Sequence, residues 1–209
     1  MPSITRRRPP NPEGRAAVEA RVLAATERLL QEGVRFTDLG VQRIAAEAGV
    51  ARSTFYTHFR DKSELLMRLA GTMRESSFDR TGSWDPGGPD PLARLTEVFA
   101  DVIRIYRTYA PVLAAVSEVA AYDEAVREYW ATGLEQFVSR TVEALRIEQR
   151  AGRTPADLDV VAASRLIVVG GDRFLADHVS TTSPDPAADA AAARELAATW
   201  WYGVYRRPA

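Results

Sequence analysis

The sequence predicts an all-α chain of about nine helices, in which a short helix-turn-helix near the N-terminus precedes a larger helical domain. Three observations carry this. Apolar residues recur every three to four positions through most of the chain. No segment pairs strand-like alternation with a hairpin signal. Helix starts and stops are marked by capping residues, Pro and Gly.

Residues 1–12 are rich in Pro and Arg and read as a disordered basic arm. Arg6, Arg7 and Arg8 either reach a minor groove or form a tail with general attraction for DNA. A first helix over 13–33 follows, with Val18, Val22, Ala25 and Leu29 on one stripe and Gly33 closing it. Two short helices, 40–48 and 53–59, flank Gly49. Asp61 with Glu64 three positions on forms a capping-box pattern that starts a fourth helix, 61–73. Residues 76–91 hold three Pro, three Gly and three Asp, so they read as a loop and a domain boundary. This gives a helix-turn-helix domain over 13–75 and a helical domain over 92–206. In the latter, Asp90-Pro91, Thr154-Pro155 and Asp185-Pro186 read as cap-then-Pro helix starts. The expected helices are 91–109, 111–121, 123–151, 155–179 and 186–205.

Composition removes several function classes. There is no Cys, and the histidines are His58 and His178, so disulfides, thiolate catalysis and Cys-based zinc sites are out. Neither His has a Glu three residues before it (Phe55 and Leu175 stand there), which excludes the di-iron bundle pattern. Nucleophile-elbow and phosphate-loop motifs are absent, so no enzyme and no cofactor or metal is expected. No apolar run is long enough for a membrane span, and no secretory signal opens the chain; the expectation is a cytoplasmic protein. The net charge of -1 hides an asymmetry: residues 1–80 carry 14 basic and 10 acidic residues, residues 81–209 carry 13 and 18. The N-terminal part is therefore the one suited to an anionic polymer.

The stretch VQRIAAEAGVARSTFYTHF, residues 41–59, supplies what a helix-turn-helix needs. Small residues Ala45 and Ala48 let a second helix cross the first closely. Gly49 takes the positive φ of the turn. Val50, Phe55 and Phe59 anchor the second helix. Arg43, Arg52, Ser53, Thr54, Tyr56, Thr57 and His58 are left as hydrogen-bonding groups for base edges and phosphates. For His58, packing against a neighbouring helix is the other reading.

The longer segment FTDLGVQRIAAEAGVARSTFYTHFRDKSELL resembles the signature of the tetracycline-repressor (TetR) family of bacterial regulators. It carries A-x-x-A-G-V, then S-T-F-Y-x-H-F, then Lys62. The resemblance implies a three-helix DNA-binding head, a helical ligand domain and a homodimer on double-stranded operator DNA. It implies phosphate contacts for Tyr56 and Lys62, and base reading for Arg52, Ser53, Thr54 and Thr57. Gly40 and Ala51 stand where members often have a hydroxyl. The C-terminal half, through GDRFLADHV and a Trp-rich last helix, is similar to the ethionamide-resistance repressor type.

In the larger domain, Phe99, Tyr106, Trp130, Phe137, Phe174 and Trp200 sit on helices expected to pack together. They fill a core, or some line a cavity for a small hydrophobic ligand. Asp172 and Arg173 interrupt an apolar helix, so they pair with neighbours, hold a ligand's polar end or lie on the surface. Gly170 and Gly171 suggest close approach of a helix or ligand. Two functions stay open: a repressor released by ligand, and a DNA-binding protein whose helical domain only dimerises or docks a protein partner.

Overall fold

The computed structural model describes residues 12–207, which form nine α-helices and no strand. The expected arm 1–12, with Arg6, Arg7 and Arg8, lies outside the described residues except for Pro12. The chain divides into two compact units, residues 1–69 and 70–209.

The first unit holds α1 (Pro12–Gln31), α2 (Val41–Glu47), α3 (Arg52–His58) and the start of α4 (Lys62–Gly82). The α1 stripe points inward: Val22, Ala25 and Leu29 are buried. Gly33 takes φ +84 and ends the helix, and a short 3-10 turn, Phe36–Asp38, leads into α2. Ile44, Ala45, Phe55, Phe59, Leu65 and Leu66 complete this small core. Asp61 caps α4 by accepting the Glu64 N–H at 2.8 Å, while the Glu64 carboxylate accepts the Arg60 N–H at 2.8 Å.

The second unit holds the rest of α4, then α5 (Pro91–Thr108), α6 (Ala110–Ala120), α7 (Glu124–Arg150), α8 (Val160–Thr181) and α9 (Pro186–Trp200), which runs into a π-helical turn, Trp201–Tyr205. Two apolar clusters fill it. One joins α5, α8 and α9 through Phe99, Val102, Ile103, Leu175 and Leu196. The other joins α7, α8 and the C-terminal turn through Val142, Leu145, Ile167 and Val204.

Two sequence expectations are corrected. The fourth helix does not end near Met73: residues 76–82, assigned to the loop, continue α4. Their only helix breaker is the terminal Gly82, and packing holds the extension. Phe78 meets the Phe137 ring edge-on at 5.1 Å, and Arg140 Nη1 donates to the Phe78 carbonyl at 2.7 Å. The irregular segment shrinks to 83–90, where Trp84 packs on Tyr205 at 4.8 Å and donates to the Pro91 carbonyl at 2.8 Å. The second correction concerns α8, which starts at Val160, not at Pro155. Asp159 supplies the cap, accepting the N–H groups of Val161 and Ala162. Thr154 instead donates its hydroxyl to the Tyr205 carbonyl at 2.7 Å.

Candidate nucleic-acid interface and cavity

The turn between α2 and α3 is closed by backbone bonds from Gly49 to Ala46 and from Val50 to Ala45, at 3.1 and 2.9 Å. Gly49 adopts φ +65, a conformation that disfavours any side chain. Gly40 and Ala51 sit at the helix starts in extended geometry with no side-chain cap, so the missing hydroxyls leave those first N–H groups open.

Phe55 is fully buried and packs on Phe59 with ring centroids 5.3 Å apart. That anchorage turns the opposite face of α3 outward. Arg43, Arg52, Ser53, Tyr56 and Thr57 are exposed, and Thr54 is half-buried. The Arg52 guanidinium lies 5.8 Å from the Tyr56 ring centre, so a cation and a phenol share one turn of the surface. Thr57 donates its hydroxyl back to the Ser53 carbonyl at 3.0 Å, which leaves its oxygen as an acceptor.

Two residues expected on this face are elsewhere. The Lys62 ammonium donates to the carbonyls of Phe36, Thr37 and Leu39 at 2.9, 3.3 and 2.6 Å and lies 5.0 Å from the Phe36 ring centre. An ammonium has three protons, and these three carbonyls take them. Lys62 is therefore a fastener between α4 and the turn before α2, not an open phosphate donor. His58 is also turned inward: its side chain is 10% exposed and Nδ1 stands 3.3 Å from the Glu19 carboxylate. The packing reading holds for it, because Glu19 on α1 is anchored by Arg15 and Arg68 as well.

The second unit holds a mainly apolar cavity of about 60 Å³. Six of the aromatic and acidic residues singled out in the sequence line it: Phe99, Tyr106, Trp130, Phe137, Asp172 and Trp200. Phe174 does not. It is 41% exposed and stacks on His178, because two helical positions beyond Asp172 rotate it to the opposite face. Arg173, a single position beyond Asp172, is exposed as well. Gly171, but not Gly170, makes the close approach, with Leu196 and Trp200 packed against the space above it.

Asp172 is the cavity's polar centre. Its Oδ1 accepts the Tyr106 hydroxyl at 2.6 Å. Burial pushes its carboxyl above the usual range, and hydrogen bonds from Tyr106 and Trp130 with the charge of Arg173 only partly offset this. Burial and the adjacent carboxylate push the Tyr106 phenol up as well, so it stays a donor. Sequence reasoning missed Met73, Arg74, Ser77 and Thr81, the α4 residues on the cavity wall, because the helix was expected to stop before most of them.

An outward helix-turn-helix face on one unit, and an aromatic-walled cavity in the other, define a DNA-binding regulator. Residues 22–69 match the family of bacterial regulatory proteins, tetR family, and residues 95–206 match the C-terminal domain of the transcriptional regulator EthR. The chain belongs to the TetR family of transcriptional regulators, with an EthR-type C-terminal half. It is a regulator and not an enzyme. It is 24% identical over 191 residues to the HTH-type transcriptional regulator EthR of Mycolicibacterium smegmatis, covering 90% of this chain and 86% of the relative. Among solved structures, NalD, the secondary repressor of the MexAB-OprM multidrug efflux pump in Pseudomonas aeruginosa, superposes with a TM-score of 0.68 at 20% identity, covering 93% of this chain and 100% of NalD. A putative transcriptional regulator from Saccharomonospora viridis in complex with choline superposes with a TM-score of 0.68 at 16% identity, covering 94% of this chain and 100% of that one. Among the described residues no helix is long and apolar enough to cross a membrane.

Proposed function

We propose that the chain is a cytoplasmic repressor that binds a palindromic operator as a homodimer and is released by a small, mostly apolar ligand. The observation that carries this reading is the cavity at Asp172, which is aromatic-walled and lined in part by α4, the helix that starts in the DNA-binding unit. The DNA-facing set is Arg43, Arg52, Ser53, Thr54, Tyr56 and Thr57. Short recognition helices read few base pairs, so a two-fold dimer is needed for a specific footprint.

For the dimer, α8 and α9 supply the surface. Val161, Leu166, Val169 and Phe174 on α8 are exposed apolar side chains, as is Tyr202 beyond α9. The exposed positions of α9 are Pro186, Ala187, Ala190, Arg194, Glu195 and Thr199, a largely polar strip beside that apolar face. Light scattering is expected to give a dimer mass, and Leu166→Glu a monomer.

Release follows from linkage. A ligand weakens operator binding only by preferring a conformation in which the recognition helices are wrongly placed. A coupling of about 1–3 kcal/mol lowers operator affinity roughly 5–150-fold. The neighbouring fold solved with choline supports the idea that this architecture accommodates a small molecule. The test is a selection from random duplexes, then titration of the operator complex with a lipophilic compound library. Loss of sequence preference would sink the regulator reading at this face. No compound shifting both melting temperature and operator affinity would leave the helical domain as a dimerisation device or a docking site for a protein partner.

A further inference from the structure

Three polar groups on the cavity wall lack what they need. Asp172 accepts from Tyr106 and Trp130, both neutral donors, and a carboxylate has capacity for about two hydrogen bonds more. The basic residue acting on it is Arg173, which is exposed and does not hydrogen-bond to it. The other charged lining residue, Arg74, is turned to Tyr129 and does not bond Asp172: Nη1 donates to the Tyr129 carbonyl at 3.1 Å and the guanidinium lies 4.2 Å from its ring centre. The Trp200 indole N–H and the Ser77 hydroxyl are buried without a hydrogen-bond partner. An indole N–H can only donate, so it calls for an acceptor. Trp200 Nε1 packs over Gly171, the residue before Asp172, 3.6 Å from where a Cβ on Gly171 would be, and Trp200 and Asp172 line the same cavity.

We infer that the cavity takes a small organic ammonium, with its cationic nitrogen facing Asp172 among the aromatic rings and an oxygen accepting the Trp200 N–H. The inference rests on the reading of the cavity as a ligand site. A mostly buried carboxylate with no cation bonded to it is costly, and a ligand cation lowers that cost. The rings of Phe99, Tyr106, Trp130, Phe137 and Trp200 give such a cation faces to rest on while its carbon body fills apolar space. An anion is excluded by Asp172. A hydrocarbon would leave Trp200 and Asp172 as they are.

The test uses a matched pair of compounds: 2-(dimethylamino)ethanol, a cation at neutral pH, and 3-methylbutan-1-ol, which replaces the nitrogen by CH. Calorimetry on the full chain is expected to show the amine binding at least about tenfold tighter. Asp172→Asn removes that preference, and Trp200→Phe weakens both compounds several-fold. Equal or tighter binding of the alcohol overturns the ammonium inference while leaving the cavity as a ligand site. Retention of the full preference in Asp172→Asn overturns the assignment to Asp172. If neither compound binds, the ammonium inference fails, and the lipophilic library decides separately whether the cavity takes a ligand.

Discussion

The guanidinium of Arg74 occupies the space that a Cβ on Gly133 would fill. Around it α4 and α7 touch in steps: Gly71 faces the Tyr129 hydroxyl, Arg74 lies over Tyr129 and Gly133, Phe78 meets Phe137, and Thr81 bonds Arg140. The contacts advance in the same direction along both helices. Arg74 also lines the cavity, so the joint between α4 and α7 and the ligand wall share a side chain.

Gly133→Ala is therefore expected to expel Arg74 and destabilise the chain by about 1–3 kcal/mol, a typical cost of overpacking. Arg74→Ala empties the space, so in the double variant the added methyl costs much less. Urea midpoints for the four proteins test this. Strict additivity would mean that the two positions do not compete.

Lys62→Met is expected to destabilise the DNA-binding unit by roughly 1–3 kcal/mol, because three backbone carbonyls lose their donor. Operator affinity should fall with folding, while the slope of log affinity against log salt stays unchanged. A phosphate contact would instead reduce that slope by about one. The salt series thus separates fastener from DNA contact.

Asp172→Asn is expected to stabilise the protein at neutral pH by about 1 kcal/mol, as functional sites often hold stability back. The sign follows from the raised carboxyl. Ionising it costs the folded state at pH values above the unfolded value near 3.9, and costs nothing below it. The variant's advantage in melting temperature should therefore grow as pH rises from about 4 and vanish in acid. An asparagine that melted lower throughout would show that the charge is needed for the fold.

Glu148 predicts the opposite pH behaviour. Its side chain is 2% exposed, held by Arg153 at 2.6 Å and by Arg206 at 2.8 Å, and Arg206 also reaches the Pro86 carbonyl at 3.0 Å. The Arg153 hydrogen bond, against burial and aided by Arg206, holds the carboxyl below its usual range. The contribution is complete above about pH 5 and is lost as pH falls through the lowered value. Glu148→Gln should cost roughly 2 kcal/mol at neutral pH and little in strong acid. Parallel unfolding curves at the two pH values check it, and an equal cost at both would remove the charge from the explanation.

What the sequence showed and what it hid divide by range of interaction. The helix-turn-helix was legible because Gly49, Phe55 and Phe59 act within one short segment. Helix types were legible from periodicity and caps, as at Asp185-Pro186. Lys62 was misplaced because its partner Phe36 lies 26 positions away, and the two readings of His58 stayed open because Glu19 lies 39 positions away. The end of α4 was misplaced because Phe137 and Arg140, far along the chain, carry the helix through residues that a local reading gave to the loop. On α8, apolar residues occupy nearly every face, so spacing alone could not tell that Leu175 faces inward while Phe174 faces out.

Lys62 is the single lysine of the chain. With its ammonium closed inside the first unit, the positive groups left for DNA are guanidinium groups, which keep their proton at any pH a folded protein survives. No positive charge on that face then depends on a lysine. A reagent that discharges lysine amines would therefore strike the internal clasp, loosening the DNA-binding unit from within while leaving the positive charge of its DNA face unchanged.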